Sequence, residues 1–340
     1  MNHLTGITNE NEFYSHHYLD AILKDDIKNI AKTWKDNAAE NNTKSPPEQL
    51  GSLTKIFFHL RSQFNQEKDN SLRLELHRQW LSELFGVLGY EINPSAIVLD
   101  DGETLPLICQ INKSNGLPLL WILEAIPEPE TNEIIDILDQ TLNPEPQNNH
   151  VSEACPKDIP RTPNHVSEAC PKDIPTIEDI VSDYIFPQSE PPRWLLLANI
   201  HQIILIDRFK WNASRLLRFD LEEILSRKDS DTLTATAILL HREHTCPGEG
   251  TTLLDELDEN SHRHAFSVSD DLKYALRKSI ELLGNEAVWY LKNKLNKGVF
   301  SGKLDEGQLT IECLRYMYRL LFLFYIEARR DLGYAPMNAD

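Results

Sequence analysis

Apolar side chains recur at helical spacing through the first 90 residues, and the period then changes. Ile22, Leu23, Ile27, Ile30 and Trp34 fall about one turn apart and predict a helix over 18–34. The polar run TNENE at 8–12 stands before it and offers capping side chains. NNTKSPP at 41–47 breaks the pattern. Leu50, Leu53, Ile56, Phe57 and Leu60 then predict a second helix over 48–64. A third helix is expected over 71–88, with Leu72, Trp80, Leu81 and Leu84 on its apolar side and Gly89 as its C-cap.

From residue 96 the runs are shorter and read as strands. AIVLDDGETLPLICQI at 96–111 predicts a hairpin around Asp101-Gly102. A third strand is expected over 117–126, after a turn at Asn115-Gly116. Two more are expected over 193–200 and 201–207, and a possible edge strand follows over 216–221. Uninterrupted apolar runs such as WLLLA and QIILID suit a sheet covered on both faces, and the flanking helices are available as cover. Beyond residue 229 the chain reads as consecutive helices. The last, LRYMYRLLFLFYIEA, is apolar on nearly every side, so it needs more than one partner surface.

The expected fold class is α+β: an α/β-type core followed by a helical connector. Its parts are N-terminal helices over 1–90, a sheet region over 91–228, and the connector over 229–340. A perfect duplication interrupts the sheet region. NHVSEACPKDIP occupies 149–160 and again 164–175, a 15-residue period inside a proline- and acid-rich stretch over 141–176. Two copies are too few for a solenoid. The composition reads as a disordered linker, with strands expected on both sides of it. Cys155 and Cys170 within the copies lack the neighbouring ligands of a zinc site.

Charge narrows the range of partners. With 53 acids against 34 bases the net charge is −19, which opposes non-specific binding to DNA. Weak DNA contact through a local basic cluster is compatible with that balance: Lys210, Arg215 and Arg218 lie near Phe209 and Trp211. No apolar run reaches the roughly 20 residues of a membrane span. The N-terminus has no signal-peptide pattern, and the five cysteines fall at irregular spacings. A cytoplasmic protein without a membrane partner is expected.

A helix, three strands and a further strand pair follow the element order of the PD-(D/E)XK nuclease fold. Such enzymes hold a divalent metal on strand carboxylates, with a lysine two residues beyond the second acid. Asp101 and Glu124 are the candidate acids here, but Ile126 stands where the lysine should be, so the core reads as degenerate. Magnesium would be the cofactor only if a nuclease survives. His241, His244 and Cys246, with His262 and His264, are candidate zinc ligands, although the first two suit a helix end equally well. Neither a glycine-rich turn for S-adenosylmethionine nor an (N/D/S)-P-P-(Y/F) tetrapeptide occurs, and P-loop and GxSxG patterns are also missing from the sequence.

Three longer stretches carry a family resemblance: PPRWLLLANIHQIILIDRFKWNASRLLRFDLEEIL, LLDELDENSHRHAFSVSDDLKYALRKSIELLGNEAV and LRYMYRLLFLFYIEAR. They are similar to the amino-terminal region of type IIG-like restriction–modification and phage-defence DNA adenine-N6 methyltransferases. The resemblance implies a nuclease-like domain leading through a helical connector to a methylase domain, with S-adenosylmethionine as that domain's cofactor. It places methylation outside this sequence. The chain would then be a non-catalytic module that positions a methylase domain or binds DNA and other defence-system subunits. The alternative is a self-contained, metal-dependent PD-(D/E)XK endonuclease.

The duplication yields a test. Deleting one 15-residue copy should leave the thermal unfolding midpoint nearly unchanged, because loop closure depends only weakly on loop length. A loss above about 2 kcal/mol would show that the segment packs against the fold.

Overall fold

The computed structural model describes residues 4–100, 102, 104–126, 136–140, 175–248, 250–294 and 305–328. Residues 149–174 of the duplication, with Cys155 and Cys170, lie outside these residues, as does Asp101. By internal contacts the chain forms two compact units, Met1–His262 and Arg263–Asp340.

The first unit opens with strand β1 (Ile7–Glu10), a π-helical turn at Tyr18–Ile22, and helices α1 (Leu23–Asp26), α2 (Lys28–Glu40), α3 (Pro46–Ser52), α4 (Thr54–Gln66) and α5 (Asn70–Val87). Strands β2 (Ser95–Val98), β3 (Thr104–Leu107), β4 (Cys109–Asn112) and β5 (Pro118–Glu124) follow. Helix α6 (Ile177–Asp179) then leads into a second π-helical turn, Ile180–Ile185. Strands β6 (Trp194–Ala198), β7 (Gln202–Asp207) and β8 (Leu216–Asp220) precede α7 (Leu221–Arg227), α8 (Ser230–Leu240) and α9 (Arg242–Thr245). Helix α10 (Leu253–Lys294) starts in this unit, and α11 (Glu306–Ala328) belongs to the second. No described helix is long and apolar enough to cross a membrane.

Local chemistry sets these boundaries. Ser45 and Glu48 form a capping box with Pro46 at the first position of α3, and Leu53 separates α3 from α4 where a single helix was expected. Asp69 accepts hydrogen bonds from the Ser71 and Leu72 backbone N–H groups and starts α5. Lys228, at φ 53°, adopts the left-handed conformation that ends α7. The TNENE segment is not a helix cap: it is mostly strand β1, pairing antiparallel with β8 from Ile7↔Phe219 to Glu10↔Leu216. That pairing makes β8 an interior strand rather than the expected edge. Gly6 just before β1 has φ 89°, and a Cβ there would lie 2.7 Å from Ile224 Cγ1, so only glycine admits this approach.

The main sheet has six strands in the order β1-β8-β7-β6-β5-β4. All its pairings are antiparallel except β5 with β6, which run parallel from Leu120↔Trp194 to Glu124↔Ala198. The hairpin around Gly102 is present, but β2 and β3 form a separate two-stranded sheet, and β4 alone continues into the main one.

Alternation along the strands sends side chains to two different cores. Leu196, Ala198, Ile203, Leu205, Leu217 and Phe219 join Phe57, Trp80, Leu84 and Ile238 on one face. Leu195, Leu197, Ile204, Ile206 and Leu216 join Ile177, Val181, Ile185, Leu105 and Leu107 on the other. The helices before residue 90 therefore share a core with the sheet. The first turns of α10 dock onto the same unit through polar contacts. Tyr14 Oη donates to Leu254 O (3.2 Å), the Ser15 N–H donates to Ser261 Oγ (2.9 Å), and Arg193 pairs with Asp207 and Asp255.

Because β7 is covered on both sides, Ile204→Ala should cost about 3 kcal/mol of stability, read from the denaturant midpoint. Val98→Ala, at a side chain 72% exposed in the small hairpin, should change it by less than about 0.5 kcal/mol.

Candidate functional site

Parallel strands β5 and β6 end side by side at Glu124 and Ala198, and Ala125 N–H donates to Ala198 O at 2.9 Å. The crevice beyond the carboxyl ends of parallel strands is where open α/β sheets place ligands. A buried polar cluster occupies this end of the sheet.

Glu124 is its centre. Helix α5 brings Arg78 against it: Arg78 Nε donates to both carboxylate oxygens (2.9 and 3.2 Å), and Nη2 donates to Oε1 at 2.5 Å. The preceding residue, His77, is fully buried with Nδ1 3.5 Å from Glu124 Oε2, at the outer limit of a hydrogen bond. Burial alone would push the Glu124 carboxyl up. The neighbouring His77 ring and the hydrogen bonds and charge of Arg78 outweigh it and hold the carboxyl below its ordinary value.

The turn between β6 and β7 supplies the next groups. Asn199 Oδ1 accepts from the backbone N–H groups of His201 and Gln202, each at 2.8 Å, which shapes the turn. Asn199 Nδ2 and His201 Nδ1 are buried without a hydrogen-bond partner among the described residues. His201 titrates below its usual range, chiefly through burial and then through the charge of Arg61, with Glu222 opposing. Arg61 of α4 pairs with Glu222 of α7 at 2.6 Å, and its Nε has no partner among the described residues.

The chemistry of this arrangement is that of clamped carboxylates. Glu124 and Glu222 each face a guanidinium, and Ile126 packs half-buried just past the strand. Among the described residues no group of three His, Cys, Asp or Glu side chains is placed to hold a metal ion. Asp100, beside the candidate Asp101, accepts the Ser189 N–H at 2.7 Å.

The candidate phosphate contacts are largely internal. Lys210 Nζ donates to Phe13 O (2.6 Å) and Asp258 Oδ1 (2.5 Å), and burial lowers its pKa despite that carboxylate. Arg218 pairs with Glu10 (2.8 Å) and Asp136 (2.9 Å), which raise its pKa against the effect of burial. Arg215 is half-buried and makes no ion pair among the described residues. Lys210 and Arg218 meet different carboxylates.

Two of the candidate zinc ligands, His241 and His244, lie in an aromatic cluster. The His241 and His244 rings lie 5.0 and 5.1 Å from that of Trp34, and burial lowers both pKa values. Cys246 is pushed up to about 11, mainly by burial, and so remains a thiol at neutral pH. His262 is exposed, 3.7 Å from Asp258.

His77, Arg78, Arg61 and His201 were not singled out by sequence reasoning. The HRQW run placed a histidine and an arginine inside an otherwise leucine-rich helix, and that was the available signal. A separate cavity of about 610 Å³ lies beside the Tyr18–Ile22 turn. Leucines, alanines and charges of both signs line it, and that mixture selects no ligand class.

The Glu124–Arg78 pair predicts a pH-dependent mutant. A carboxyl depressed in the fold contributes fully above its unfolded value of about 4.3, and the contribution is lost as pH falls through the lower folded value. Glu124→Gln should therefore destabilise the protein by about 2 kcal/mol at pH 7, with the gap to wild type closing below about pH 4. Equal stability of the two proteins at pH 7 would show that the clamp contributes nothing. Comparisons with protein-family models, curated proteins and solved structures return no match, so the reading of this cluster rests on its own chemistry.

Proposed function

We propose that this chain is a non-catalytic scaffold module of a DNA adenine methyltransferase from a restriction–modification or phage-defence system. In this reading its sheet descends from a PD-(D/E)XK-like core and now serves to position a methylase domain, other subunits or DNA. The element order supports the nuclease-like ancestry. Beyond the separate β2–β3 hairpin that follows helix α5, β4 runs antiparallel to β5, and a crossover then leads to β6 parallel to β5. The observation that carries the loss of activity is the Arg78 clamp. A guanidinium holds both oxygens of the carboxylate that would otherwise face a metal, and isoleucine replaces the lysine two residues on. The methylase, with S-adenosylmethionine, belongs to the domain that the sequence resemblance implies.

The purified chain, incubated with plasmid and Mg²⁺ or Mn²⁺, should leave the DNA intact. Cleavage that Glu124→Ala abolishes would instead establish a metal-dependent endonuclease, and the scaffold reading would fall. Duplex binding should be weak and steeply salt-dependent, given the net charge of −19 and the internal pairing of Lys210 and Arg218. Nanomolar, sequence-selective binding at physiological salt would mark a reader domain in its own right.

A further inference from the structure

The connection from β7 to β8 carries two cations that the fold leaves unmatched. Arg208 Nη1 donates to Pro191 O at 3.4 Å, but neither Arg208 nor Arg215 makes an ion pair among the described residues. Lys210, between them in sequence, is committed to Asp258. Open aromatic faces accompany these guanidinium groups. Phe209 is 69% exposed, although Arg193 and Arg208 lie 4.4 and 4.8 Å from its ring centre. Trp211 is half-buried, and its orientation is fixed by Nε1–H donation to Ser182 Oγ at 3.0 Å and by the Phe186 ring at 6.1 Å. Phe186, Arg208 and Trp211 line a hollow of about 450 Å³. Phe209 and Arg215 are not on its wall, so the aromatic and cationic surface runs on past it. Backbone contacts hold the connection in shape. Asp207 Oδ1 accepts the Phe209 N–H at 2.7 Å, and the Ser214 N–H donates to Trp211 O at 2.7 Å. Rings and charges held in this way need little ordering when a ligand arrives.

We propose that this connection binds an unpaired nucleic-acid strand, with bases stacked on Phe209 and Trp211 and phosphates against Arg208 and Arg215. A nucleotide supplies both partners that the surface lacks, a flat π face and an anion. A duplex keeps its base faces stacked inside and offers this surface phosphates alone. An acidic peptide supplies anions without flat faces. The continuation past the hollow suits a strand rather than a single nucleotide. Glu178, exposed on the wall of the hollow, repels phosphate, so a base rather than the backbone belongs there. The inference does not rest on the methyltransferase reading.

The test is fluorescence anisotropy of a labelled oligothymidylate about 12 nucleotides long, titrated with the full chain at low salt. Micromolar binding is expected, about tenfold tighter than to a duplex of the same length. Phe209→Leu keeps an apolar side chain without a flat ring and should weaken binding about tenfold, whereas Phe209→Tyr should bind as wild type does. Arg215→Gln should weaken binding and flatten its salt dependence. Arg227→Gln removes the same charge from a side chain 60% exposed on α7, beyond the other end of β8, and should do neither. Thermal melts should show the variants as stable as wild type. If Phe209→Leu melts early through its contact with Arg193, the comparison of Arg215→Gln with Arg227→Gln still decides. The proposal is overturned by an absence of binding at low salt, by a duplex bound as tightly as the single strand, or by a folded Phe209→Leu that binds like wild type. Equal losses in Arg215→Gln and Arg227→Gln also overturn it. So does displacement of the strand by polyglutamate, which would assign the surface to an acidic peptide, or by thymidine monophosphate at matched nucleotide concentration.

Discussion

The parallel alignment of β5 with β6 is the constraint from which the arrangement of the first unit follows. Strands joined in this sense cannot be connected by a tight turn, so the chain must leave one end of the sheet and re-enter at the other. The return passes through α6 and the π-helical turn at 180–185, whose Ile177, Val181 and Ile185 cover one face of the sheet. The opposite face is left to the helices on either side of the sheet in sequence. The same alignment brings the ends of both strands together, so Glu124 and the Asn199–His201 turn share one polar environment.

The cations inside this acidic protein are matched locally. Arg78 meets Glu124, Arg193 meets Asp207 and Asp255, Lys210 meets Asp258, and Arg218 meets Glu10 and Asp136. Several of these pairs join elements far apart in the chain, and removal of either partner would strand a charge in a poorly solvated place. They act less as adhesive than as specifiers of which element meets which. Over the whole chain the carboxylates exceed the cations by 53 to 34.

Much of this architecture was legible in the sequence. Uninterrupted apolar runs marked β5, β6 and β7, and their lack of alternation indicated burial on both faces. The turn at Asn115-Gly116 and the hairpin at Gly102 were legible because each needs a residue tolerant of positive φ. Strand β1 was not, because an edge strand of four residues reading ITNE carries almost no apolar signal. Its misreading as a helix cap also made β8 look like an edge. The break at Leu53 was hidden because its side chain continues the helical spacing. Glu124 was visible as a candidate acid, but its fate was not. Arg78 lies 46 residues away, and nothing in local periodicity says which helix residue will face the end of a strand.

The pairing of β1 with β8 has a consequence for how the chain reaches its fold. Arg218 and Glu10, joined across that pair, lie 208 residues apart. At ordinary rates of synthesis the ribosome adds that much chain in roughly 10–40 s. For that interval the first strand exists without its partner, and β4 to β7 are all made before β8 emerges to pair with it. Until the two pair, β8 presents an open edge, with Leu216, Leu217 and Phe219 available to any other strand. Arg218, in the middle of that edge, is the one charged residue flanked by them, and it disfavours stacking of like edges as long as β8 is unpaired.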